Sequence, residues 1–247
     1  MTSKIYAVIA GVGPGTGAAV ARKFAEAYSV VLLARSAENY ESLVGEINGK
    51  GGSAIGISTD VSSVESVKNA FRVIDEKFGK DASCAAAIFN AGGKFVKKPF
   101  LEQTEEEFTG VFDVNCKGGF YFSQAVLPRL LKTAEQDYKH PPTLLFTGAT
   151  ASVRGSASFA GFAAGKFATR ALAQSLAREF GPRGVHVGHV IVDGVIDIPR
   201  TKDWLQGAGP DAKISADSIS ETYWYLHTQP RSAFSQEIDI RPWVEKW

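Results

Sequence analysis

Along the chain, short runs that are apolar at nearly every position alternate with longer stretches whose apolar residues recur every three or four places. The runs are IYAVIAG (5–11), SVVLLA (29–34), SAIGIS (53–58), CAAAIFN (84–90), TLLFTG (143–148) and VHVGHVIV (185–192), and SQEIDI (235–240) can add a last strand. A strand with one wet face alternates apolar and polar residues. Continuous apolarity, as in the first four runs, fits strands covered on both faces. Helical periodicity occupies Thr16–Tyr28, Ser63–Phe78, Lys117–Lys132 and Phe159–Phe180, and the last of these stops at Gly181-Pro182. Ser218 and Glu221 stand at capping-box spacing before a final helix, ISETYWYLHTQ. The alternation predicts an α/β fold: a doubly wound parallel sheet of about seven strands between helical layers. At 247 residues, with neither internal repeat nor low-complexity linker, the chain reads as a single domain over residues 1–247.

Charge and composition narrow the function classes. Lysine and arginine number 27 against 26 acidic residues, so no basic footprint for nucleic acid or an anionic membrane surface is expected. The start, MTSKIYAVIAG, is too short for a signal segment, and no stretch approaches the roughly 20 apolar residues that span a bilayer. A cytoplasmic protein with no membrane and no nucleic-acid partner is the expectation. Cys84 and Cys116 lie in apolar or pre-helical contexts without ligand spacing, which reads as free thiols. His140, His186, His189 and His227 are scattered, and a strand turns His186 and His189 to opposite faces, so no metal site is expected.

The chemistry begins after the first strand. In AGVGPGTGAAVARKFA, Gly11, Gly13, Gly15 and Gly17 precede a helix that Thr16 opens. Glycine permits positive φ and a close approach of the backbone to a pyrophosphate, whose charge sits well at a helix N-terminus. A dinucleotide site is the reading, and the end of the second strand selects between cofactors. A carboxylate there would hold the ribose 2′-hydroxyl of NAD, whereas this chain has Ala34 followed by Arg35. As a phosphate ligand Arg35 favours NADP(H) over NAD(H); the plainer alternative is a solvated surface arginine.

With these residues in place, the chain resembles the short-chain dehydrogenase/reductase family, from about residue 4 to about residue 198. Gly11, Gly15 and Gly17 match its Gly-x-x-x-Gly-x-Gly turn. Asp60 and Val61 fall where the family contacts adenine, and NAGG, with Asn90, Ala91 and Gly92, matches its Asn-Ala-Gly strand end. VNCKG sets Asn115 at the active-site asparagine, and FAAGK sets Lys166 at the catalytic lysine, which in the family binds the nicotinamide ribose. The resemblance implies a Rossmann fold, a nicotinamide cofactor also contacted near Gly194, a small-molecule substrate and a homodimer or homotetramer. In the family, the helices corresponding to FYFSQAVLPRLL and FATRALAQSLAREF pair between subunits, and both are apolar here.

The departures concern proton transfer. The family's tyrosine falls at Phe162 and its helper serine, thirteen residues earlier, at Ala149. The family's Pro-Gly reads Asp193-Gly194, the threonine that contacts the nicotinamide carboxamide falls near Ile198, and IDIRPW lacks the closing glycine pair. A positioned general acid contributes about 10² to 10⁴ in rate, so its loss demands another donor or a reaction that tolerates its absence, such as reduction of an enone or imine. Thr150 and Ser152 carry hydroxyls where the serine is missing; each is either a donor or a hydroxyl capping the following turn. Asn115 has a catalytic or a structural reading, and Lys166 holds the ribose or passes a proton. Arg154 is either an anchor for an acidic substrate or an exposed loop residue.

Aromatic residues gather near the expected cleft: Phe95, Phe100, Phe159, Phe162 and Trp204, some of them alternatively core. A largely apolar substrate follows, under a lid at about 195–214. The leading expectation is an NADP-dependent oxidoreductase with an atypical proton path. The alternatives are an NADP-binding isomerase or cyclisation catalyst and a nucleotide-sensing binding protein.

Overall fold

Every apolar run forms a strand. In a computed structural model that describes residues 5–245, β1 (Ile5–Ala10), β2 (Ser29–Ala34), β3 (Ala54–Ser58), β4 (Ser83–Phe89), β5 (Thr143–Thr147), β6 (His186–Val192) and a terminal strand at Glu237–Ile240 build one sheet. The first four and last two positions of the expected 1–247 unit lie outside the described residues. Counting the short strands β7 (Ile196–Asp197) and β8 (Ile214–Ser215), the terminal strand is β9, and the spatial order is β3-β2-β1-β4-β5-β6-β9. All pairings are parallel. Order reverses between β1 and β4, so the crevice that binds ligands in open α/β sheets lies beyond the carboxyl ends of these strands. This is the doubly wound Rossmann arrangement.

The two-residue period of the strands divides the core. Tyr6, Val8 and Ala10 face one layer, with Phe71, Ile74, Phe122 and Leu130; Ala7 and Ile9 face the other, with Phe24, Ile47, Ile219 and Leu226. The first layer holds α3 (Val64–Phe78), α5 (Gly118–Ala134) and α6 (Ala160–Phe180); the second holds α1 (Thr16–Ala25), α2 (Glu41–Gly49) and α7 (Ala216–His227). Each fully buried Leu, Ile or Phe contributes about 1.5–3 kcal/mol against exposure. Among the described residues no helix is long and apolar enough to cross a membrane.

Besides α2 and the short strands β7 and β8, which the pattern did not single out, three local features differ from the expectation. The final helix is capped by Ser215, whose hydroxyl accepts the N–H groups of Asp217 and Ser218, so it starts earlier than the Ser218–Glu221 spacing indicates. Glu221 instead pairs with Lys23 of α1 at 2.8 Å. An additional helix, α4 (Glu105–Phe112), is opened by a true capping box between Thr104 and Glu107. Between α4 and α5 the chain widens into a π turn at Asp113–Lys117, which displaces the start of the predicted Lys117 helix to Gly118.

Candidate functional site

The glycine turn is shaped by close approach. Gly11 has φ +93°, and a Cβ there would lie 2.3 Å from the Ala91 nitrogen; one at Gly17 would lie 2.5 Å from the Gly11 carbonyl oxygen. Asn90 clamps this turn from the end of β4. Its Nδ2 donates to the Gly11 carbonyl at 2.8 Å, and its Oδ1 accepts from the Thr147 hydroxyl at 3.0 Å. Gly15 precedes α1, Thr16 is buried, and no side chain caps the helix, so its first N–H groups remain available to an anion. Ile198 packs over Gly15, where a Cβ would meet its Cγ2 at 2.7 Å.

Arg35 follows β2, is exposed, and has no ion-pair or hydrogen-bond partner among the described residues. The Asp60 carboxylate accepts from the N–H and hydroxyl of Ser62 at 3.0 and 2.7 Å, and Val61 is buried against Gly118. Ala91 is half-buried and Gly92 exposed at the end of β4. Gly194 has φ +150° and lies against Pro242.

On the other side of the crevice the π turn aims Asn115 inward. This side chain is 1% exposed; its Oδ1 accepts from the Gly93 N–H at 3.3 Å while its Nδ2 has no partner. The main-chain oxygen of Asn115 accepts from the Thr169 hydroxyl at 3.0 Å, which ties the π turn to α6. An orphaned buried amide marks a place for a further acceptor. Lys166 donates from Nζ to the Thr147 carbonyl at 2.9 Å, and burial pushes its ammonium down to about 8. Thr147 thereby links Asn90, Lys166 and, through a 2.6 Å contact, the Tyr223 hydroxyl. Sequence reading missed Thr147, whose signal is only its place as the last residue of β5.

The hydroxyl candidates separate. Ser152 is fully buried and its oxygen accepts the Ala149 N–H at 3.1 Å, a cap that closes the turn at Thr150–Ser152. Thr150 donates to the Asp193 carboxylate, whose other oxygen lies 3.2 Å from Arg241. Arg154 is exposed on the loop beyond.

Four of the five expected aromatics converge. The Phe95 ring lies 5.3 Å from Phe159, 5.2 Å from Phe162 in a T-shaped contact, and 6.2 Å from Trp204. Phe100 does not join them: it is 69% exposed in a separate turn and has no ring contact among the described residues. Lys97 places its ammonium 5.8 Å from the Phe159 ring centre. Trp204 is carried by the segment that the β7–β8 pair closes at its base.

No metal cluster occurs among the described residues: His186 stacks on Phe234, and His189 bonds Glu237 at 2.9 Å. Cys84 and Cys116 are free thiols. An open groove of about 620 Å³, lined by Tyr138, His140 and Arg231, lies at the opposite, amino edge of the sheet and includes none of the candidate residues.

Comparison with known proteins gives this geometry a context. The sequence model of a family described as short chain dehydrogenase matches residues 5–207. An uncharacterized oxidoreductase of Staphylococcus epidermidis is 29% identical over 240 residues, covering 96% of each chain. One from Staphylococcus aureus is 28% identical over 243 residues, 98% of each chain. Among solved structures, a short-chain dehydrogenase from Rhodopseudomonas palustris is similar at 33% identity and TM-score 0.80, covering 97% of this chain and 99% of that one. An alcohol dehydrogenase from Thermococcus sibiricus, complexed with 5-hydroxy-NADP, is similar at 27% identity and TM-score 0.81, covering 98% and 99%.

Proposed function

The chain belongs to the short-chain dehydrogenase family, and on that premise we propose that it is an NADP-dependent oxidoreductase acting on a small, largely apolar carbonyl, enone or imine. The observation that carries this reading is the convergence, on one sheet edge, of a turn that no Cβ could enter, an arginine and a buried amide nitrogen that have no partner among the described residues, and a buried lysine. These residues fit a nicotinamide dinucleotide. Gly11, Gly15, Thr16 and Gly17 would take the pyrophosphate and Arg35 the 2′-phosphate. Asp60 and Val61 would border the adenine; Asn90, Ala91, Gly92 and Gly194 would line the remaining path, and Lys166 would hold the nicotinamide ribose. When bound, the cofactor supplies or accepts the hydride; the protein orients and polarises.

The aromatic group around Phe95 gives the substrate an apolar wall, with the segment 195–214 as the lid of a single-domain enzyme working in the cytoplasm. Exposed Phe120 and Phe167, at 45% and 41%, support a homodimer or homotetramer through α5 and α6. Phe162 favours a second reading, in which NADP is bound without net redox chemistry, because its ring packs on Phe95 and carries no proton to give.

The test is NADPH consumption over a panel of ketones, enals, enones and imines by the native protein and by Phe162→Tyr, with NADPH and NADH binding measured beforehand. Turnover by the native protein is the expected result. Silence of the native protein beside turnover by Phe162→Tyr would move the assignment to the non-redox reading. Arg35→Ala is expected to weaken NADPH binding and leave NADH binding unchanged; equal loss for both would remove the NADP assignment.

A further inference from the structure

At the carboxyl edge of the sheet a hydroxyl, a carboxylate and a guanidinium stand in a row. Thr150 Oγ1 donates to Asp193 Oδ1, and Asp193 Oδ2 lies 3.2 Å from Nη1 of Arg241. The three residues follow the ends of three neighbouring strands, β5, β6 and β9. Asp193 is 8% exposed, and its main-chain N–H donates to the Ile240 carbonyl at 2.9 Å, so the carboxylate is fixed from both ends. The side chain of proline, which the family resemblance sets at this position, has neither charge nor acceptor to offer.

Taking a carboxylate out of water costs several kcal/mol, which Arg241 offsets only in part, so the sheet is not made more stable by having Asp193 there. What the carboxylate changes is Thr150. A hydroxyl has one proton and two lone pairs. With the proton given to Asp193, the oxygen presents only acceptor capacity on its remaining side. Thr150 stands three residues beyond Thr147, whose carbonyl holds Lys166, and its turn packs against α6, which carries both Phe162 and Lys166. An acceptor backed by a carboxylate therefore lies where the proton-handling groups of the family are missing.

We propose that Thr150 and Asp193 are the proton relay of this site: Thr150 is the catalytic residue that touches the substrate oxygen, Asp193 receives its proton, and Arg241 positions Asp193. The relay rests on the oxidoreductase reading. In alcohol oxidation the substrate O–H bond breaks as its proton passes to Oγ1, and the Oγ1–H bond breaks as that proton passes to Oδ1. The carbinol C–H bond breaks as hydride leaves to the oxidised nicotinamide, and the C=O bond forms. The substrate loses two electrons, the cofactor gains them, and the proton leaves Asp193 for solvent. Reduction runs through the same bonds in reverse, with protonated Asp193 as the source.

The experiment compares Thr150→Val, Thr150→Ser and Asp193→Asn with the native protein, on the best substrate of the panel and its product alcohol. Four quantities are read: kcat against pH, the NADPH dissociation constant, the melting temperature, and equilibrium binding of the product alcohol to the NADPH-loaded protein, where no reaction occurs. Thr150→Val is expected to lower kcat by about 10²-fold or more and to weaken alcohol binding, with NADPH binding unchanged and a melting temperature lower by a few degrees, because the buried Asp193 carboxylate loses a donor. Thr150→Ser should restore both, and Asp193→Asn should lower kcat as Thr150→Val does, since Oγ1 then has no carboxylate to receive its proton. Native kcat and alcohol binding in Thr150→Val would overturn the relay alone, as would a serine variant no better than valine. A native protein silent on every substrate would overturn the oxidoreductase reading and the relay with it.

Discussion

Lys166 is the residue whose surroundings most change its chemistry. Among the described residues its ammonium has one hydrogen bond, to the Thr147 carbonyl, and burial holds it down to about 8 rather than in the usual lysine range. In the proposed binding mode, ribose hydroxyls beside it would add acceptors that favour the charged form, so cofactor binding and protonation would reinforce each other. NADPH affinity is therefore expected to fall several-fold as pH rises through about 8. Titrating the dissociation constant from about pH 6.5 to about pH 9.5, with Lys166→Met as a flat reference, checks this; a flat native profile would detach Lys166 from the cofactor. Lys166, Asn115 and the glycine turn were legible in the sequence because each lies in a short motif whose local spacing is informative. The Thr150–Asp193–Arg241 row was not, since its members meet only where three strands end side by side, a proximity that chain order does not encode.

Among the elements, the seven strands of the main sheet were legible to within two residues, most of them because burial leaves runs with little polar interruption, whereas the two-residue β7 and β8 were not legible. Helix starts were less so. Thr104 and Glu107 carry a readable capping box, yet α4 is short and its single buried residue, Val111, gives little periodicity. Ser218 has the correct spacing to Glu221 but lies inside α7, because Ser215 caps a turn earlier. The π turn leaves no sequence pattern at all, although it is what presents Asn115. Its fit against α6 is tight: a Cβ at Gly165 would lie 2.9 Å from Asn115 Nδ2 and 3.3 Å from the Val111 carbonyl oxygen. Overpacking of this kind costs about 1–3 kcal/mol, whereas alanine for glycine in a helix interior returns about 1 kcal/mol. Gly165→Ala is thus expected to lose up to about 2 kcal/mol, a fall of roughly 4–8 °C in melting temperature, and to weaken NADPH binding as α6 shifts. Gly45, inside α2, meets nothing within 4 Å. Gly45→Ala should gain about 1 kcal/mol, melting roughly 2–4 °C higher. Thermal unfolding of the two variants separates packing from propensity; a stabilised Gly165→Ala would refute the tight fit.

For the molecule as a whole, acid and alkaline limits arise at opposite edges of the sheet. His227 is fully buried at the amino edge, with Nε2 2.8 Å from the Tyr28 hydroxyl and Nδ1 2.9 Å from that of Thr143. Thr143 donates its proton to the Pro141 carbonyl, so Nδ1–H donates to Thr143 and Nε2 accepts from Tyr28. A second ring proton would have to reverse the Tyr28 bond, with Nε2–H donating to the phenol oxygen, and would leave a charge buried there. Burial, then repulsion from His140 and His186, pushes His227 down to about 3, and burial lowers His186 and His189 as well. These groups bind protons more readily in the unfolded chain, whose histidines titrate near 6.5. Stability is therefore full above that pH and is lost as pH falls toward 3. Glu237 acts in the same direction: its bond with Arg170 lowers its carboxyl, and that contribution also fades on acidification. By about pH 4.5, His227 alone is expected to remove about 2–3 kcal/mol. His227→Gln should be less stable than the native protein near neutrality yet lose less between about pH 6.5 and about pH 4.5. Denaturant unfolding at the two pH values decides it, and equal losses in the two proteins would place the acid sensitivity elsewhere. Because His227 and His186 lie at the amino edge and Lys166 toward the carboxyl edge, with His189 between them, acidification is expected to loosen the fold and alkali to weaken the proposed cofactor grip. The window in which both are intact, between about pH 6.5 and about pH 8, is set by burial at each edge and not by the nearly balanced net charge.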